Sequence, residues 1–407
     1  MNVLVLSCGP LSTRFAVFHA SDGHPHLSGV VHGLGTPDAA LDSAHEGRLV
    51  TRRIPGADAL TALRAIFGLL RERGLLDKLA AVGHRVVHGG ARFTESTLIT
   101  PEVIAKIEAC IELSPLHNPA NLLGIEVARS TLPGVRHVAV FDTAFHQTMP
   151  PPAYLYAVPY VWFEKYEVRR YGFHGMSHRG AARRAVVSLG LDPHDHAVVT
   201  AHLGNGCSLA AVRDGRSVDT TMGLTPLEGV VMDTRCGTID PSIISHMERE
   251  LGCTAEEVME QLHRNSGLLG LSGLSSDLLV VEAAAASGHV RAGLALDKFC
   301  HSVAKSAAAM IVSLGRIDAL VFTGGIGENA VGVRARITGL LEFAGLDLDP
   351  AANETHGASR GGRISRSTRP AVAVVPTDEA RLIAHDALEL VQGRRAVARW
   401  KDDLPGA

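Results

Sequence analysis

The chain has 407 residues, of which 46% are hydrophobic and 20% charged, and its formal net charge is −3. This composition excludes a disordered chain and a coiled coil, and the near-neutral charge removes any global pull toward nucleic acid or an anionic membrane. The length exceeds one ordinary core, so two domains are expected, and any anion site must be a local cluster of donors.

In chain order, Val3–Leu6 is a short apolar run with no basic segment before it, which reads as a strand rather than a signal peptide. A polar turn, Ser7-Cys8-Gly9-Pro10-Leu11-Ser12-Thr13-Arg14, leads to a returning strand at Phe15–Phe18. Ala57–Arg73 has the pattern of an amphipathic helix, and Ala80–Val87 and Val138–Phe141 read as buried strands. Prolines in Met149–Ala153 mark a crossing, giving a first domain over 1–150 and a second over 151–378. Gly175–Leu189 is expected to be helical. Ala197–Leu203 and Leu209–Val212 then flank Gly204-Asn205-Gly206-Cys207-Ser208, repeating the layout of the first hairpin and suggesting that the two halves share an architecture. Leu296–Leu314 is a further helix. Asp318–Phe322 is a strand running into Thr323-Gly324-Gly325-Ile326-Gly327-Glu328-Asn329, which opens another helix. Ala371–Val375 is a strand, and the segment 379–407 returns to the first domain as a helix over Glu379–Val391, with a fraying end after Arg394. Strands alternating with helices define an α/β protein with helices on mixed sheets. The six cysteines form no CxxC pair, which fits reduced thiols in the cytoplasm. Stretches such as Ala307–Val312 are too short to cross a bilayer.

Several segments could carry chemistry. Arg85, in Gly83-His84-Arg85-Val86-Val87-His88-Gly89-Gly90, ends a strand with a donor fork that suits a carboxylate or phosphate ligand, although in isolation pairing with a structural carboxylate ranks above that role. His84 and His88 are read as structural. Leu116-His117-Asn118-Pro119-Ala120-Asn121 reads as a turn. Asp142 ends the strand before Thr143-Ala144-Phe145-His146, where it could serve Mg²⁺, a proton or a helix N-cap. In Tyr171-Gly172-Phe173-His174-Gly175-Met176-Ser177-His178, the glycines argue against a metal pair. His174 is read there as a donor to phosphate and His178 as structural. The glycines of His202-Leu203-Gly204-Asn205-Gly206 allow backbone N–H groups to approach an anion, although a plain hairpin uses them too. Arg235, in Met232-Asp233-Thr234-Arg235, is open between an ion pair and anion binding. The glycine turn at Gly324–Asn329 suits a nucleotide's sugar or phosphate and is neither a Walker A loop nor GxGxxG.

Taken in order, these segments, with FTES, FDTAFHQTMP, LHNPANLLGI, TPLEGVVMDTR, GLLGLSGLSSD and PTDE, resemble the acetate kinase family within the actin, sugar-kinase and heat-shock ATPase superfamily. The resemblance implies an α/β fold of two duplicated actin-like (ribonuclease H-like) domains flanking a catalytic cleft, a homodimer joined through the second domain, and a cytoplasmic enzyme without nucleic-acid or membrane partners. It implies reversible phosphorylation of acetate to acetyl phosphate by ATP, with Mg²⁺ or Mn²⁺. Arg85 and Arg235 would hold the acyl and transferring phosphoryl groups. His174 and Asn205 would contact the phosphoryl group, His117 would support it, and Asp142 would be a catalytic carboxylate. Val87, Leu116, Phe173 and Pro226 would form the pocket for the acetate methyl. Ser12, Arg14, His202, Leu203, Gly204, Asn205, Gly206, Asp277, Gly324, Gly325, Ile326, Gly327 and Asn329 would bind the nucleotide, and Ser7 and Glu379 the metal.

The chain departs from that pattern in three places. Ser7, Pro10 and Arg14 stand where the family's first turn has asparagine, serine and lysine. Asp233 replaces a usual glycine, and Leu278-Leu279 replaces an aromatic or methionine followed by arginine. These changes motivate alternatives: a kinase of propionate or another short acyl chain, an impaired homologue that binds nucleotide or acyl phosphate, or a different donor such as pyrophosphate.

Overall fold

The computed structural model describes residues 1–19, 23–45 and 47–394, so the expected helical segment beyond Arg394 lies outside the described residues. The chain divides into two compact units. One contains Met1–Gln147 and the returning segment from Asp378; the other is Thr148–Thr377.

The first unit is built on strands β1 (Asn2–Cys8), β2 (Ser12–His19), β3 (Pro25–His32), β4 (Ala40–His45), β5 (Arg48–Arg53), β6 (Leu79–Val86), β7 (Thr97–Leu98) and β8 (Arg136–Phe141). They form one sheet in the order β5-β4-β3-β2-β1-β6-β8-β7. β1 is antiparallel to β2 and parallel to β6, and β6 is parallel to β8. β1 is buried almost throughout, as a central strand covered on both faces must be. The helix Ala59–Glu72 is capped by the Asp58 carboxylate, which accepts from Thr61 N, and it buries Ala62, Leu63, Ile66, Phe67 and Leu70 at helical spacing. These side chains join Leu4, Leu6, Phe15 and Val17 in one core.

The second unit carries β9 (Ala197–Leu203), β10 (Cys207–Arg213), β11 (Arg216–Thr220), β12 (Ala319–Thr323) and β13 (Ala371–Val374), in the order β11-β10-β9-β12-β13. β9 is antiparallel to β10 and parallel to β12, which is parallel to β13. Position by position this repeats β3-β2-β1-β6-β8. The likeness of the two hairpins is therefore part of a repeat of the whole five-strand unit.

Two sequence expectations change, and one stretch was not read. Leu116–Asn121 is not simply a turn, because Asn118 begins the helix Asn118–Thr131, with Pro119 in the first turn where its missing N–H costs nothing. The helix expected from Leu296 starts at Val290, because the His289 side chain caps Ala292 N and supplies an earlier start. Strands β3 to β5 gave no clear signal: β5 is exposed along its whole length, and β3 and β4 mix histidine, serine and glycine with their apolar positions. Gly29 on β3 is needed there, since a Cβ would lie 2.3 Å from the Asp42 carbonyl oxygen.

Candidate active site

In the first unit, the parallel strands β6 and β8 end side by side and deliver Arg85 and Asp142. Asp142 N donates to the Val86 carbonyl (3.0 Å), so its side chain starts from a fixed backbone position. Arg85 grips it with two parallel hydrogen bonds, Nε to Oδ1 at 3.1 Å and Nη2 to Oδ2 at 2.7 Å. Arg85 Nη1 lies 3.9 Å from Glu379 Oε2, too far for a hydrogen bond. The outer side of the fork therefore keeps donors for a further anion. Asp142 is 2% exposed, whereas the Arg85 and Glu379 side chains are 27% and 22% exposed. Burial pushes the Asp142 carboxyl above its ordinary range; Arg85 opposes that rise, Glu379 adds to it, and His117 pulls against it. Burial alone would lower the Arg85 guanidinium, but Asp142 and Glu379 reverse the shift and hold it above its usual value. Arg85, Asp142, Glu379 and His117 thus form one electrostatic group. Asp142 is engaged with Arg85 and does not act as a helix N-cap.

The surroundings of this group are set by residues whose role was not read from sequence. Asn121 accepts from Val87 N (2.9 Å) and donates to the Cys8 carbonyl (2.6 Å), tying the end of β1 to the loop after β6. Asn118 accepts from His88 N and donates back to the His88 carbonyl. Thr143 Oγ1 accepts from Gly89 N at 3.0 Å. The available signal was two asparagines flanking a proline, three residues apart, at the start of a helix. His84 shares a 3.0 Å hydrogen bond with His137 in the core, and His88 Nδ1 accepts from Gly90 N, which fits structural roles. Val87 is half-buried, but Leu116 is 61% exposed. In the first hairpin Ser7 pairs with Arg14, Gly9 N donates to the Ser12 carbonyl (2.8 Å), and Pro10 and Leu11 are exposed.

The second unit gathers a different set. His174 has a φ of +55°, a conformation rarely held by a side chain larger than glycine, and it sits directly before the helix Gly175–Ser188. Its ring stacks on His202 with centroids 4.3 Å apart. Ser208 Oγ bridges His174 Nδ1 (2.8 Å) and His178 Nε2 (2.7 Å), and His178 Nδ1 meets Thr200 Oγ1 (2.7 Å). Thr200 Oγ1 also lies 3.4 Å from the Ala210 carbonyl oxygen. The Ser208 hydroxyl has one hydrogen, so at least one of the two rings donates to it. His174 enters this network through Nδ1 and directs Nε2 elsewhere. That nitrogen faces the glycine turn: a Cβ on Gly206 would lie 3.2 Å from His174 Nε2 and 3.5 Å from Arg235 Nη1. Arg235 Nη1 donates to the Pro226 carbonyl at 3.1 Å, so two expected substrate residues meet. Asn205 Nδ2 donates to Asp233 Oδ2 at 3.1 Å.

The other expected positions are also located. Leu203 and Gly324 touch, since a Cβ on Gly324 would lie 2.7 Å from the Leu203 carbonyl oxygen. Gly324 N and Thr377 N both donate to Glu328 Oε1, and Asn329 donates to the Gly325 carbonyl, closing the turn Gly324–Asn329. Gly327 is buried, and Ile326 lies within the same short helix. Phe173 is 2% exposed. Asp277 accepts from Leu279 N and caps the helix Leu278–Ala286, leaving the Leu279 side chain 70% exposed. Among the described residues no group of three histidine, cysteine, aspartate or glutamate side chains could cage a metal, and no helix is long and apolar enough to cross a membrane. Among the described residues the cysteines form no disulfide, and burial pushes the Cys8 and Cys207 thiols up to about 12, which makes them poor nucleophiles.

Two α/β units on one repeated strand order, with polar groups at the ends of their central strands, define an actin-like ATPase fold. The acetokinase family model matches residues 2–385, and the chain belongs to that family. It is 47% identical over 394 residues to the acetate kinase of Deinococcus radiodurans, covering 97% of this chain and 99% of that one. Among solved structures, the acetate kinase of Porphyromonas gingivalis superimposes with a TM-score of 0.89 at 41% identity, covering 96% of this chain and 99% of that one. A propionate kinase from Francisella tularensis does so with a TM-score of 0.90 at 39% identity, covering 95% and 99%.

Proposed function

We propose that this enzyme transfers the γ-phosphoryl group of ATP to acetate, reversibly, giving acetyl phosphate and ADP. The observation that carries this reading is Arg85, a partly exposed guanidinium clamped by a buried carboxylate, with free donors on its outer side. Such a fork orients a second carboxylate, which is what acetate offers. Acetate is already ionised at neutral pH and needs no strong base. Asp142 then fixes Arg85 and does not remove a proton. In the transfer an acetate oxygen forms a bond to the γ-phosphorus as the bond from that phosphorus to the β–γ bridging oxygen breaks, and ADP leaves with the electron pair. Arg235, His174 and Asn205 donate to the equatorial phosphoryl oxygens, where charge must be stabilised in an in-line transfer. Leu203–Gly206 and Gly324–Asn329, with Asp277, hold the nucleotide, and Ser12 and Arg14 are assigned to nucleotide binding as well.

Mg²⁺ suits Glu379 and Ser7, because one carboxylate with phosphate and water oxygens is its usual set and no all-protein cage is required. When bound, it would neutralise phosphate charge. We further propose a cytoplasmic homodimer. Its support is an apolar patch in the second unit, where Tyr160, Trp162 and Tyr166 are 60%, 46% and 68% exposed. Sedimentation of the purified protein tests the dimer, and Trp162→Glu should shift it to monomer.

The deciding assay is acyl hydroxamate formation with ATP and Mg²⁺ across acetate, propionate and butyrate, repeated with pyrophosphate as donor. Fastest turnover on acetate with ATP supports the reading. Fastest turnover on propionate reassigns the acyl substrate, and nucleotide binding with no turnover on any acid rules out the kinase.

A further inference from the structure

The loop Met232–Arg235 carries an aspartate whose side chain is spent on a neighbouring turn. Asp233 Oδ2 accepts from Asn205 Nδ2 (3.1 Å), while its Oδ1 accepts from Thr234 N (2.6 Å). Apart from Thr234 N, the loop's backbone is held by main-chain partners rather than by this carboxylate. Leu268 N donates to the Met232 carbonyl, Leu269 N to that of Asp233 and Ser266 N to that of Thr234, each at 2.9 Å, and Cys236 N donates to the Leu262 carbonyl at 3.0 Å. Gly267 lies so close beneath the loop that a Cβ would meet the Met232 carbonyl oxygen at 2.3 Å. The loop is therefore held from below mainly by main-chain bonds, and Asp233 Oδ2 is left to act on Asn205.

A carboxylate only accepts, so it decides which end of an amide it meets: the NH₂, never the carbonyl oxygen. One of the two Asn205 N–H groups is committed to Asp233, and the other points in a fixed direction from the glycine turn. Without the carboxylate, the Asn205 amide is free to rotate by half a turn and present its oxygen to a phosphate, which would repel it. We propose that Asp233 is a positioning residue that selects the donor orientation of Asn205 for the transferring phosphoryl group. This inference rests on the reading of Asn205 as a phosphoryl ligand. It converts an added negative charge near an anion site into a device for orienting a neutral donor.

The test is a double-mutant cycle in the full-length enzyme, with kcat and KM measured for ATP, acetate and acetyl phosphate. Asn205→Ala should lower kcat about 100-fold, the effect of losing one preorganised donor. Asp233→Ala should lower kcat about tenfold and leave the KM for acetate unchanged, since coupled neighbours differ by roughly that factor. Asp233→Asn has a single acceptor oxygen, which cannot serve both Thr234 N and Asn205, so it should stay nearly as slow as Asp233→Ala. The double variant Asn205→Ala/Asp233→Ala should be no slower than Asn205→Ala alone, because Asp233 acts only through Asn205. Penalties that multiply, an Asp233→Asn variant as fast as the unmodified enzyme, or a rise in kcat on removing Asp233 would each overturn the proposal alone. An Asn205→Ala enzyme with unchanged kcat would instead overturn the reading of Asn205, and the proposal with it.

Discussion

The same five-strand order ends differently in the two units. In the first, the parallel strands β6 and β8 run out into charge, Arg85 and Asp142, clamped together by two hydrogen bonds. In the second, the equivalent strands β12 and β13 run out into Gly324 and, beyond Val375, a proline, and the polar groups come instead from the β9–β10 turn, the start of the helix Gly175–Ser188 and the loop of Arg235. A repeated scaffold therefore fixes where strand ends fall but leaves their chemistry to local sequence. One unit became a place for a guanidinium fork, the other a place where a glycine turn meets a histidine and an arginine.

The largest effect should come from the arginines. Arg85→Ala and Arg235→Ala should each lower kcat/KM by about 3–4 kcal/mol in steady-state assays, and lysine at either position should recover little of it. Comparable losses would show that the two units share the electrostatic work; a loss below tenfold in one would assign that work to the other unit.

Acid should next distinguish the units. Burial lowers the His88 and His137 pKa values to about 4 and holds His84 well below its usual value. The unfolded chain takes up these protons near pH 6.5, before the folded one does. Stability from these groups is thus present above pH 6.5 and lost as pH falls toward 4, each tenfold loss of proton affinity on folding being worth about 1.4 kcal/mol. Thermal melts should show a plateau above pH 7 and a fall below 6.5. At pH 5 the amides of β6 and β8 should lose exchange protection before those of β9 and β12, and equal loss would break the contrast.

Within the second unit, Gly206→Ala should lower kcat about tenfold, because its Cβ would press on His174 at 3.2 Å and move a donor, a displacement worth roughly 1.4 kcal/mol. Gly204→Ala should change kcat less than about threefold, since its nearest neighbour would be 3.6 Å away. Equal effects would mean that the turn's backbone, not the histidine, is what matters.

The smallest effect should follow restoration of the first turn. Pro10 and Leu11 are exposed there, so Ser7→Asn with Pro10→Ser should alter the KM for ATP by about threefold, within the range of surface changes, with kcat unchanged. A change in kcat would give this turn a part in the chemistry.

Much of the first unit's charge was legible in sequence, because an arginine and an aspartate at the ends of apolar strands announce themselves by pattern. That they clamp each other was not, since nothing along the chain links positions 85 and 142 until β6 and β8 pair in register. Glu379 joined them only because the last helix returns to this sheet. Asn118 and Asn121 stood in a quoted motif without a role, because their work is to hold main-chain groups that periodicity cannot locate. The sequence by itself determined the strand and helix spacing, the glycine turns and, through its motifs, the family. Tertiary structure alone decided the Ser208 bridge between His174 and His178, the bond between Asn205 and Asp233 and the exposure of Leu116. Each of those depends on which groups meet across the fold, and hydrogen bonding and burial act on neighbours in space.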